Sequence, residues 1–251
     1  MKRPFPAVLL VLGGLGLLHA SLFTDLCLRY VRPGLRPYLI ASGALLLVLG
    51  LASAVLDRGR GGHDAPGGHG DTGHGHGHDH SGAPRVAWLL FLPALSLLFY
   101  APPALGSYTA SREPPKAVAQ QRHFDPLPAT SPLPMTLTEF TSRVQQDRAQ
   151  AIRGRSVTLT GFVTPDKHGG DWYLTRIVFS CCAADAQSVK VRIHGSPALP
   201  ADTWVAVTGA WHPGGTLGTR SAPAALDART VERVDKPVNA YTDDLPLTPS
   251  R

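Results

Sequence analysis

The chain has 251 residues and a formal charge of +6 at neutral pH. Its basic residues are spread through loops and tail, without a run of five and without interleaved aromatics, which argues against a nucleic-acid-binding surface. The three cysteines, Cys27 and the adjacent Cys181 and Cys182, include no CxxC pair and do not make a disulfide scaffold.

Three runs free of Asp, Glu, Lys and Arg occupy the first half, at residues 5–23, 38–56 and 86–106. A helix rises about 1.5 Å per residue, so each run is long enough for a hydrocarbon core of roughly 30 Å. Three transmembrane helices are expected, followed by a water-soluble domain of modest size. The opening segment also has the form of a secretory signal cleaved after Ala20. Leu18 is a poor partner for that cleavage and the apolar stretch is long, so a retained helix is expected.

Run one carries Gly13, Gly14 and Gly16; run two carries Gly43 and Gly50 among Ala41, Ser42, Ala52, Ser53 and Ala54. Small residues let membrane helices approach closely, here toward a larger membrane partner, although glycine is also simply common in such helices. Pro93 and the Pro102–Pro103 pair should kink and end run three. His19, at the edge of run one, reads either as a functional polar group in a membrane helix or as an interfacial histidine.

Orientation is nearly balanced. With the N-terminus inside, Lys2, Arg3, Arg58, Arg60 and Arg85 face the cytoplasm, against Arg29, Arg32, Arg36, Arg112 and Lys116 on the other side. The first helix tends to dominate, and Lys2–Arg3 favours an inside N-terminus. Three crossings then put the C-terminal domain outside the cytoplasm.

Between runs two and three, residues 57–85 hold His63, His69, His74, His76, His78 and His80, with Asp64, Asp71, Asp79 and ten glycines. Neutral imidazole is a good ligand for zinc or copper. Ordering so free a backbone costs about 1–2 kcal/mol per residue, so the loop suits a loose, exchangeable site. A plain polar linker is the other reading.

Residues 107–135 are rich in Pro, Ser and Ala and read as a semi-extended linker. Thr136 and Glu139 have capping-box spacing, and Leu137, Phe140 and Val144 share one face of the helix that follows. Strand patterns then dominate. Residues 156–164 and 203–211 echo each other, each with a late Thr-Gly, and further strands are expected at 171–180, 188–194 and 228–234. Glycine late in a strand marks a bulge or bend of the kind barrel corners need. The fold class expected is a membrane α-helical N-terminal half plus a mainly β domain at 136–236, an OB-like five-stranded barrel preceded by a helix, with an open sandwich as the alternative. Residues 237–251 read as a flexible tail.

The densest chemistry is Ser180-Cys-Cys-Ala-Ala-Asp-Ala186. Adjacent thiols can ligate a soft metal or oxidise. In an extended strand they would point to opposite faces, and both could equally be small packing residues. Asp185 with His168, His194 or His212 could complete a metal site, but spacing does not show that they converge.

These features resemble the YcgQ-like family of permease subunits, bacterial membrane proteins without a known biochemical activity. The resemblance lies in His19-Ala-Ser21, the histidine-rich loop, Gly161-Phe-Val163 and Ile177-Val-Phe-Ser-Cys-Cys-Ala-Ala-Asp185. Its most specific piece is Cys182-x-Ala184-Asp185; the position of Cys181 varies among relatives. The resemblance implies a non-enzymatic accessory subunit beside a larger polytopic permease, in the bacterial cell membrane. Two other functions fit the residues: a membrane-anchored zinc- or copper-binding protein, with Cys182, Asp185 and Cys181 as further ligands, and a thiol oxidoreductase. The latter lacks the spaced cysteine pair.

Overall fold

The computed structural model describes residues 5–24, 26–59, 105–166 and 170–247. It divides into two units: residues 1–24 with 38–104, and residues 25–37 with 105–251. The histidine-rich loop and nearly all of the third apolar run lie outside the described residues.

The first unit is built on α1 (Phe5–Leu22) and α2 (Arg36–Gly59). The stretch Pro33–Leu56 is long and apolar enough to cross a membrane, whereas the apolar stretch Ala7–Leu22 is shorter. Among the described residues one helix is thus of spanning length, where the sequence predicts three such runs, the third of them almost wholly outside those residues. The small residues pack these two helices together. A Cβ on Gly14 would lie 2.8 Å from the Gly43 carbonyl oxygen, and one on Gly50 would lie 2.8 Å from Val11 Cγ2. Gly13 and Gly16 face open space. The close-packing face expected for a larger partner is therefore used, at Gly14, Gly43 and Gly50, between α1 and α2. Leu12, Leu15, Leu45, Val48 and Leu51 stay exposed, as lipid-facing positions would be.

The second unit carries the β domain. After a short helix, α3 (Ser107–Ala110), come β1 (Leu133–Pro134) and α4 (Leu137–Gln146). Thr136 caps α4, its hydroxyl accepting the Glu139 N–H at 3.1 Å. The box is half-made: the Glu139 carboxylate accepts from Arg143 Nε at 3.0 Å instead of reaching back. Leu137, Phe140 and Val144 are buried, as their spacing predicts.

Strands β2 (Val157–Pro165), β3 (Trp172–Val178), β4 (Gln187–His194), β5 (Trp204–Trp211) and β6 (Ala225–Arg233) follow. They lie within one or two residues of the predicted strands, apart from a β6 that starts three residues earlier. The sheet has six strands in the order β1-β2-β3-β4-β6-β5, and β2 also pairs with β5. This corrects the expected five-stranded barrel to a six-stranded sheet. The added strand, β1, is only two residues long and pairs in parallel with Val157–Thr158, too short to leave a periodic signal.

The two echoing segments are partners: β2 and β5 run antiparallel from Val157 opposite Gly209 to Phe162 opposite Trp204. The glycines sit where backbones crowd. The register shifts between Thr208 and Gly209, and a Cβ on Gly209 would fall 2.1 Å from the Asp227 carbonyl oxygen. Trp172, Leu159, Leu174, Val191, Val207 and Leu226 fill the core with the α4 face. Burying each such side chain contributes about 1.5–3 kcal/mol.

Two segments expected to be free are held down by contacts. In the Pro-rich stretch, the Ser107 hydroxyl donates to Asp202 at 2.7 Å, and Lys190 Nζ donates to the Glu113 carbonyl at 2.6 Å. In the tail, Ala240 and Tyr241 are buried against Phe162, Ile177 and Phe179. Aromatic and charged anchors outside any periodic pattern account for both departures.

Candidate functional site

Strand β3 ends at Val178, and the chain then turns through Ser180–Asp185, closing with a 3-10 turn at Ala183–Asp185. Asp185 makes this turn. Its Oδ1 accepts the Ser180 N–H at 3.0 Å and its Oδ2 accepts the Cys181 N–H at 2.9 Å. These bonds, the one from Cys181 first, hold the Asp185 carboxyl below the usual carboxylate range. The thiol of Cys181 shifts the opposite way, to about 11, chiefly through its hydrogen bond to the Asp185 side chain and next through Cys182.

The two sulfurs are 3.7 Å apart, the Cys181 thiol donating to Cys182 Sγ, with no disulfide between them. They do not point to opposite faces, because Cys181 and Cys182 belong to a turn and not to a strand. Neither is buried: Cys181 is exposed and Cys182 half-buried. The packing reading therefore does not hold for Cys181.

A second segment grips the same turn. Val31 bridges Cys182 in an antiparallel pair. The Arg32 N–H donates to the Cys181 carbonyl at 3.0 Å, and the Ala183 N–H donates to the Tyr30 carbonyl at 2.7 Å. Residues 30–32, from the connection between α1 and α2, thus lie along the cysteines as a short strap. Beside them opens a cleft of about 170 Å³, lined by Arg32, Lys116, Phe179, Ser180, Asp185 and Asp243. Two cations and two carboxylates face this space.

The turn is braced from behind by Arg176, buried on β3. Its Nη2 donates to the Asn239 carbonyl at 2.9 Å and the Thr242 carbonyl at 3.4 Å. Burial lowers its pKa, and Asp243 and Asp244 oppose that effect. Phe179 stacks on Tyr241 with ring centroids 5.2 Å apart. Sequence reading missed Arg176, Tyr241 and the Tyr30–Arg32 strap. Arg176 did leave a signal: a lone charge inside Leu174-Thr-Arg-Ile-Val178, where a buried cation needs partners.

The other predicted site residues fall elsewhere. His63, His69, His74, His76, His78, His80 and His168 lie outside the described residues. His19 is exposed in the last turn of α1, its ring centroid 5.9 Å from that of Phe23. His194 and His212 do not join the cysteines; they meet at the far end of β4, which His194 closes. Among the described residues, no group of three or more His, Cys, Asp or Glu is arranged to hold a metal ion.

Residues 136–242 match the family model of the DUF1980 C-terminal domain, a domain of uncharacterised activity. The match covers the helix α4, strands β2 to β6 and the cysteine turn, and agrees with the resemblance to YcgQ-like proteins over that part of the chain. No curated protein and no solved structure matches the chain.

Proposed function

We propose that the chain is a non-catalytic accessory subunit of a polytopic membrane permease, anchored by its apolar helices and presenting the Cys181–Asp185 turn outside the cytoplasm. The observation that carries this reading is the strap. Tyr30, Val31 and Arg32 belong to the connection between α1 and α2, yet they hydrogen-bond to the cysteine turn of the β domain. With α2 across the bilayer, the domain shares a side with the α1–α2 connection. The chain must then cross once more before Leu105, and the uncharged run at 86–106 is suited to that. An N-terminus held inside by Lys2 and Arg3 puts this side outside the cytoplasm.

The domain itself is a six-stranded sheet preceded by a helix. That fold does not specify a ligand. The thiols bear on the oxidoreductase alternative only, and do not favour it. A redox cysteine is activated by a lowered pKa, and Cys181 is pushed up to about 11.

The test is affinity purification of the full chain from mildly solubilised membranes. A polytopic membrane protein should co-purify and should be lost with Cys182→Ala or Asp185→Asn, while the variants remain folded. Recovery of the chain alone, after in-membrane crosslinking as well, would overturn the reading. A second function, membrane-anchored zinc or copper binding, is favoured by one observation, the two thiols 3.7 Å apart. Metal bound stoichiometrically by the purified chain, with no partner, would favour it.

A further inference from the structure

At the opposite end of β4 from the cysteine turn, two histidines meet. His194 closes β4, and His212 follows β5 directly. The parallel pairing of β4 with β6 sets His194 opposite Asp227, and the His212 N–H donates to the Ala225 carbonyl at 2.9 Å. Strand β6 therefore brings the two side chains together from segments 18 residues apart in sequence. Their ring centroids are 4.1 Å apart, with planes inclined by 31°.

Each ring has a carboxylate at Nδ1. His212 Nδ1 is 2.7 Å from Asp227 Oδ1. His194 Nδ1 is 3.6 Å from Asp171 Oδ1. An ionised carboxylate only accepts, so the proton of the neutral His212 ring sits on Nδ1 and its Nε2 keeps a lone pair. Asp171, at 3.6 Å, is too far to hydrogen-bond to His194 and stands there as a nearby negative charge. A carboxylate behind the non-ligating nitrogen is the arrangement that orients metal-binding imidazoles and raises their basicity.

The surroundings favour a dication. Asp171 also accepts from Arg192 Nη1 at 3.1 Å, and Asp166 lies 3.5 Å from Arg192 Nη2. Asp171 and Asp227 thus set two carboxylates beside the rings. The histidine side chains are 26% and 37% exposed, open enough for an ion and its waters to reach them.

We propose that His194 and His212 form a two-imidazole site for a borderline divalent cation such as Cu²⁺ or Zn²⁺, with Asp227 positioning the His212 ring and Asp171 adding negative charge beside His194. Imidazole suits these ions, and Nε2 of each ring supplies the bond. Since no third His, Cys, Asp or Glu among the described residues completes a ligand group, water fills the remaining positions and the ion is exchangeable. The site is separate from the cysteine turn.

The test uses the full chain in detergent, with His63, His69, His74, His76, His78 and His80 changed to Asn and the three cysteines to Ser. Cu²⁺ is then titrated and followed by electron paramagnetic resonance. One equivalent should bind with hyperfine coupling to two nitrogens. His194→Ala or His212→Ala should weaken binding at least tenfold and leave at most one nitrogen. Asp227→Asn, which keeps the shape and removes the charge, should weaken it about tenfold. If an alanine variant loses its cooperative melt, the nitrogen count of the unaltered pair decides. No stoichiometric copper, fewer than two nitrogens, or alanine variants that bind as tightly as the unaltered pair would mean that the rings merely stack, and would overturn the proposal.

Discussion

Asp185 controls Cys181 in two ways: its carboxylate accepts the Cys181 backbone N–H at 2.9 Å and, beside the thiol, pushes the thiol pKa up to about 11. One side chain thus shapes the turn and keeps its exposed sulfur protonated. The Cys182-x-Ala184-Asp185 element then has a physical meaning, with Asp185 as the residue that closes the turn.

Alkylation should report this directly. At pH 8 the thiolate fraction of a thiol at about 11 is roughly a hundredth of that of a thiol at 9.0. With Cys27 and Cys182 changed to Ser, Cys181 should react with iodoacetamide some 10–100 times more slowly than a free thiol, and Asp185→Asn should speed it at least tenfold. Equal rates in the two proteins would show that Asp185 does not control the sulfur.

The same pair sets a pH window. The Asp185 carboxyl is depressed, so its contribution is present above the ordinary carboxylate value of about 3.9 and is lost as pH falls through the folded-state value. The Cys181 thiol is raised, so its contribution is complete below the ordinary thiol value and is lost as pH rises toward about 11. Melting of the full chain in detergent should fall at both extremes, and Asp185→Asn should flatten both limbs.

Arg176→Leu should release the C-terminal segment. The substitution leaves the Asn239 and Thr242 carbonyls without their donor, and hydrogen bonds from a charged group contribute about 1.5–3 kcal/mol each. Limited proteolysis should then cut between residues 237 and 247, where the parent protein resists, and the melting temperature should drop. Unchanged resistance would mean that Tyr241 and its apolar contacts suffice.

Gly43→Val should separate α1 from α2. A Cβ there already meets Leu18 Cγ at 2.9 Å, and overpacking of this kind costs about 1–3 kcal/mol. Gly13→Ala, into open space, should be neutral. Thermal unfolding in detergent measures both, and equal effects would remove the helix-packing role of Gly43.

Sidedness follows from the strap. Single cysteines at Gly34 and Asp244, in a background with the native cysteines changed to Ser, should both label with a membrane-impermeant maleimide from the outer face of intact cells. Labelling of one without the other would break the shared-side reading of the α1–α2 connection and the domain.

The chain alone determined what depends on local periodicity. Uncharged runs, the Thr136 cap, the Leu137–Phe140–Val144 face and five alternating strands were legible because each repeats within a few residues. Glycine crowding was legible in kind: Gly161 and Gly209 stand in strands, but only pairing tells that Gly209 meets Asp227. Tertiary structure decided what depends on distant segments meeting. The Tyr30–Arg32 strap joins residues 150 positions apart, Arg176 gathers carbonyls from a stretch that looked like free tail, and β6 aligns His194 with His212. Such contacts leave no periodic trace, because hydrogen bonds to backbone carbonyls and carboxylate–imidazole pairs need only one residue on each side. The cysteine turn lay between these cases: its residues stood out in the sequence, but the strap, the protonated thiol and the role of Asp185 came from the fold.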